Sequence, residues 1–126
     1  MPAATSRAIR APGVSLATAA PAGVRFGAAS SVGTVGAAYV RGLESAGVVA
    51  TLKHFVGYSA SKAGRNLAPV AVGRRELADV LLPPFEMVVR DGRPRSVMNA
   101  YTDLDGVPTA SDASLLTELL RDTWGF

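Results

Sequence analysis

The alternation of apolar and polar positions changes texture near residue 32. Before it, Pro2, Pro12 and Pro21 interrupt every candidate helix, and neither a heptad nor a strand-like alternation is sustained. After it, Val35, Ala38, Tyr39, Gly42 and Leu43 recur at helical spacing, and Gly47 supplies a stop, which predicts a helix over roughly 33–46. Val48-Val49-Ala50-Thr51-Leu52 is a short, β-prone apolar run suited to a strand buried on both faces, and it runs out on Lys53-His54-Phe55. A loop rich in Gly, Ser, Lys and Asn follows over about 56–73. Residues 74–90 carry Leu77, Val80, Leu81, Phe85, Val88 and Val89, with Pro83-Pro84 predicting two helices or a kink. A second strand at 96–100 ends on Tyr101-Thr102-Asp103, and Asp105-Gly106 reads as a turn. Ser111 or Asp112 can cap a final helix through Leu115, Leu116, Leu119 and Leu120.

Strands alternating with helices in this order predict an α/β fold with a parallel sheet covered by helices. Two strands do not close such a sheet. A βα-barrel takes about 250 residues and about eight strands, and an open doubly wound sheet takes about five. The 126-residue chain falls short of both, and strands without neighbours leave unpaired edges. The pattern therefore reads as part of a larger domain.

Composition sharpens the boundary. Residues 1–31 hold ten Ala, four Ser, three Gly, three Pro and three Arg, with no acid. They supply the whole net charge of +3, because residues 32–126 balance ten basic against ten acidic side chains. A segment so poor in large apolar residues is expected to be disordered. Its Arg/Ala/Ser content resembles a transit peptide, and a wrong reading frame of a GC-rich gene would give the same mixture. In the neutral remainder, the tight basic clusters are Arg74-Arg75 and Arg93-Pro94-Arg95. Basic residues interleaved with aromatics, as a nucleic-acid groove requires, are lacking, so no nucleic-acid partner is expected.

Other classes fall to simple counts. With no Cys, a disulfide scaffold, a Cys-based zinc site and a cysteine nucleophile are excluded. One His gives no credible metal cluster. Gly33-Thr34-Val35-Gly36 lacks the preceding strand of a dinucleotide site, so no cofactor is expected. There is no run of about eighteen apolar residues to span a membrane. No secretory signal is visible either, and a cytoplasmic location is the expectation.

Functional residues of βα folds collect where strands end. Lys53 and His54 stand at the first such end, and their donors suit a hydroxyl-rich ligand. Lys53 as a plain surface charge and His54 as a satisfied core residue are the competing readings. Met98, Asn99, Tyr101, Asp103 and Asp105 span the second end. Tyr101 and Met98 could form the floor and wall of a sugar subsite, while Met98 as core and the two Asp as turn-formers fit equally well. Glycoside hydrolysis needs two carboxylates about 5–9.5 Å apart across the bond, and two Asp sharing one turn do not suit that role.

The pieces KHF (53–55), LLPPFE (81–86), SVMNAY (96–101) with its DG turn (105–106), and LLRDTWGF (119–126) occur in order. Together they resemble glycoside hydrolase family 3, in its bacterial β-glucosidase/β-xylosidase branch, from about residue 32 to residue 126. The resemblance implies a partial (β/α)8 TIM-barrel fragment. It implies a retaining, exo-acting hydrolase whose partners are terminal β-linked glucosides, xylosides or oligosaccharides. By the same resemblance Lys53 and His54 bond sugar hydroxyls in the first subsite, Met98 lines it, and Tyr101 lies near the nucleophile. That nucleophile is an Asp in a Ser-Asp dipeptide on the strand following WGF, and the acid/base Glu comes later still. Neither is in this sequence, so the implied chain carries no catalytic residue and is inactive alone. A non-catalytic carbohydrate-binding piece, or a subunit completing a split enzyme with a separately encoded remainder, is the alternative. Residues 1–31 match none of the family's upstream acidic motifs, which places the domain boundary at 31/32.

Overall fold

The computed structural model describes residues 14–17 and 26–126, with side chains from residue 31 onward. Strands β1 (Val14–Ala17), β2 (Ala50–Phe55) and β3 (Ser96–Asn99) form a parallel sheet in the order β1-β2-β3. Helix α1 (Phe26–Ser45) connects the first two strands. The second connection runs through a long loop, then α2 (Gly73–Glu76) and α3 (Pro83–Met87). A short antiparallel hairpin, β4 (Asp103–Leu104) with β5 (Val107–Pro108), follows β3, and α4 (Ser114–Thr123) ends the chain. Successive parallel strands with helical crossovers are the expected piece of a βα-barrel, here unclosed among the described residues.

The start of the chain departs from the sequence reading. A strand at Val14–Ala17 pairs with β2, and α1 begins at Phe26 instead of near 33. Both lie within the stretch 1–31 that composition assigns to a disordered segment. Periodicity is blind there because Ala, Gly and Ser carry no large apolar side chain to mark a face, although Ala itself favours helix. The rest of that stretch, and with it the transit-peptide and reading-frame interpretations, lies outside the described residues.

The buried face of α1 also differs from the expected one. Val35 is 69% exposed and Tyr39 46%, whereas Ala37 and Val40 are buried at 2% and 0%. Small residues decide this. A Cβ on Gly92 would lie 3.2 Å from both the Ala37 Cα and the Val40 Cβ, so α1 and the turn after α3 approach at backbone distance. Val35 and Tyr39 are turned away from a contact built on Ala37, Val40 and Gly92.

Pro83-Pro84 produce two helical segments, as their missing N–H groups require. The wide turn Leu77–Leu81 comes first, with the Leu82 N–H donating five residues back to the Leu77 carbonyl, and α3 starts on Pro83. In α4 the same wide bonding lets Leu115 and Leu120 face the core together. Asp112 resolves the choice of cap: its Oδ1 accepts the N–H groups of Ser114 (3.0 Å) and Leu115 (3.3 Å). Phe55 is the hub of the core, edge-on to Phe85 at 5.4 Å and to Trp124 at 5.8 Å. Burying a side chain of that size stabilises by about 1.5–3 kcal/mol.

At the end where the strands begin, Glu44 ties three elements together. Its Oε1 accepts the N–H groups of Ala50 (2.9 Å) and Arg95 (3.1 Å), and its Oε2 pairs with the Arg95 guanidinium. Partial burial pushes the Glu44 pKa up. The two backbone donors and the Arg95 charge outweigh it and hold the carboxyl below its ordinary 4.5. Arg93-Pro94-Arg95 is thus partly structural, while Arg75 makes only a solvent-exposed pair with Asp79.

Candidate functional site

At the opposite end, where the strands finish, β2 breaks its own alternation. Ala50, Leu52 and Phe55 are buried against the helices, while Thr51, Lys53 and His54 are half-buried. Strict alternation would send Phe55 to the same face as Lys53. The pairing register slips between Lys53 and Phe55, leaving His54 as the extra residue of a bulge. The peptide bonds Lys53-His54 and Phe55-Val56 are both cis. The bulge returns Phe55 to the core and leaves Lys53 and His54 half-buried, outside it.

The parallel register then brings the second strand end alongside. Met98 is the direct partner of Lys53, and the Ala100 N–H donates to the Phe55 carbonyl at 2.6 Å. Met98 is half-buried and stands outside the main apolar cluster, on the Lys53 face of the sheet. Tyr101 follows Ala100 and is 52% exposed. Its ring lies 5.4 Å from His54, and both rings pack with Tyr58, at 4.6 Å from His54 and 6.1 Å from Tyr101. The structure therefore brings all four candidate residues, Lys53, His54, Met98 and Tyr101, to adjacent strand ends.

Tyr58 and Asn66 were invisible as site residues in the sequence. The Tyr58 hydroxyl donates to the Asn66 Oδ1 at 2.5 Å, which folds the long loop back on itself. Only the position of Tyr58 just past the KHF strand end hinted at its place. On the other strand end, Thr109 is buried and its hydroxyl donates between the carbonyls of Ala100 (2.5 Å) and Thr102 (2.9 Å), fixing the backbone on either side of Tyr101.

Electrostatics at the cluster favour a neutral imidazole. Burial, and behind it the neighbouring Lys53 charge, lower the His54 pKa below its ordinary 6.5. A neutral His54 at pH 7 offers one donor and one acceptor, the set a sugar hydroxyl matches. The nearby carboxylate of Asp105 is already engaged by the N–H groups of Val72 (3.1 Å) and Gly73 (3.0 Å). Asp105 and Gly106 both have positive φ, at 50° and 89°, which suits the tight β4–β5 turn. Among the described residues no cluster of His, Asp and Glu is arranged to hold a metal ion. An open cavity of about 630 Å³ lies away from this cluster, near the start of β3, lined by Arg90, Arg93, Arg95, Trp124 and Phe126. Two of its arginines are already paired, Arg90 with Glu86 and Arg95 with Glu44.

Comparison with known proteins decides the family. The model of the glycosyl hydrolase family 3 N terminal domain matches residues 11–126. The chain belongs to glycosyl hydrolase family 3. The family match starts well before residue 32, so it takes in β1 and the whole of α1. A β-glucosidase of Rhizobium radiobacter is 42% identical over 89 residues, which is 71% of this chain and 11% of that protein. A β-xylosidase of Formosa agariphila is 39% identical over 103 residues, 75% of this chain and 14% of that one. Among solved structures, β-glucosidase 3B from Thermotoga neapolitana in complex with α-D-glucose superposes with a TM-score of 0.68 at 36% identity. The overlap covers 75% of this chain and 13% of that one. The family 3 chain described here thus spans about an eighth of the length of these relatives.

Proposed function

We propose that this chain is the sugar-holding part of a family 3 barrel that acts on terminal β-linked glucosyl or xylosyl residues. The observation that carries this reading is the ring cluster of His54, Tyr58 and Tyr101 at the ends of adjacent parallel strands. Relatives named β-glucosidase and β-xylosidase support it. Lys53 and His54 bond the sugar hydroxyls, Met98 lines the subsite beside Lys53, and Tyr101 offers its half-exposed ring. Donors fixed in this way favour an oxocarbenium-like transition state over the ground state when nucleophile and acid are supplied. Asp105 is occupied by two backbone donors and does not serve as one of the carboxylate pair. Binding without turnover is the outcome expected for the chain alone. Titrating methyl β-glucoside and methyl β-xyloside while following His54 and Tyr101 by NMR tests this, with both signals expected to move. Hydrolysis of a nitrophenyl β-glycoside by the purified chain, abolished by His54→Ala or Tyr101→Phe, would refute it.

A second reading rests on the sheet edges. Among the described residues β1 and β3 each pair on one side only. Such edges suit a subunit that completes a separately encoded remainder of the barrel. Co-expression with the rest of a family 3 barrel should then restore hydrolysis that neither piece shows alone.

A further inference from the structure

Asp105 does more than make a turn. An Asn or Gly would serve the backbone of the β4–β5 hairpin as well, yet this residue reaches across to the other strand's loop. Its two oxygens take the N–H groups of Val72 and Gly73, and its own N–H donates to the Val70 carbonyl at 2.7 Å. The Val70 N–H returns a bond to the Asp103 carbonyl at 3.2 Å. The hairpin after β3 thereby holds the far end of the loop that begins after β2.

That loop is braced along its length. The Lys62 N–H donates to the Pro69 carbonyl at 2.9 Å, and Asn66 receives the Tyr58 hydroxyl. At its near end Gly57 has φ 95° and lies against the same hairpin: a Cβ there would stand 3.3 Å from both Leu104 and Val70. The loop is thus anchored at both ends on residues next to Asp105, with Tyr58 between the anchor and the His54 ring. We propose that Asp105 is a positioning residue that fixes Tyr58 over His54 and so shapes the sugar-facing cluster. The sugar part of this inference rests on the function proposed above, while the geometric part stands by itself.

The chain's single histidine makes the test direct. Asp105→Gly keeps the positive φ and removes both acceptors; Asp105→Asn keeps one oxygen. In an NMR titration of the full chain, Asp105→Gly is expected to raise the His54 midpoint toward 6.5 and to shift the Tyr58 and Tyr101 ring signals. Affinity for methyl β-glucoside should fall on the order of tenfold. Asp105→Asn should show a smaller displacement in every readout, a graded rescue that a purely destabilising change would not give. An Asp105→Gly chain with the parental His54 midpoint and ring shifts would overturn the inference, as would an Asn variant no different from the Gly one. Failure of the parent chain to bind methyl β-glucoside would sink the sugar-binding reading, and the titration would still decide Asp105.

Discussion

His54 and Phe55 are neighbours in β2, and each sits at the centre of a trio of rings. Phe55, Phe85 and Trp124 meet edge-on at 5.4 and 5.8 Å and are all under a tenth exposed. His54, Tyr58 and Tyr101 meet at similar spacing, 4.6 to 6.1 Å, but carry polar atoms, and Tyr101 stays half in water. Ring spacing does not separate the two groups; solvent and polarity do. The first trio is buried in the apolar core and serves stability. The second keeps the Tyr101 ring half-exposed and sets polar atoms beside it, which is what a ligand subsite needs.

The contrast can be broken from either side. Phe55→Ala should have the largest effect, about 3–5 kcal/mol of lost stability, read as a collapse of the urea midpoint. Glu44→Ala comes next, at about 1–3 kcal/mol, because the Ala50 and Arg95 N–H groups lose their acceptor. It should leave the His54 and Tyr101 signals in place, since Glu44 lies at the other end of the strands.

Acid should separate the two regions in sequence. The folded chain disfavours protonation of His54, so stability is full above pH 6.5 and declines as pH falls through the lowered His54 midpoint. Glu44 acts lower down. Its contribution is present above pH 4.5 and disappears as pH falls through its depressed value. Denaturation midpoints measured from pH 8 to 3 should show both stages, and His54→Gln should remove the upper one alone. The smallest effect is expected for Tyr101→Ala, within about 0.5 kcal/mol of the parent, with loss of the sugar response. A cost comparable to that of Phe55→Ala would show the second trio to be core and erase the distinction.

Elements with large periodic side chains were legible in the sequence. The second expected strand, the break at Pro83-Pro84 and the Leu-rich α4 fall where the pattern placed them, while β2 starts two residues after its apolar run does and takes in Lys53, His54 and Phe55. The buried face of α1 was not legible, because Gly33, Ala37 and Gly92 exert their influence through smallness, which no hydropathy period records. β1 lay in a stretch whose composition resembles a linker. For the site, Lys53, His54, Met98 and Tyr101 could be singled out because strand ends were visible. Tyr58 and Asn66 meet inside a loop with no hydropathy period, and the clamp of Asp105 depends on two loops meeting across more than thirty positions of chain, which no local pattern encodes.

The bulge at His54 also makes β2 a counter of odd and even. Removing His54 would restore plain alternation with Ala50, Leu52 and Phe55 still facing the helices, whereas adding one residue to the run would send Phe55 to the Lys53 face. Deleting the His54 codon would therefore remove the central ring of the polar trio and spare the core trio, whereas a single-codon insertion would turn Phe55 away from Phe85 and Trp124.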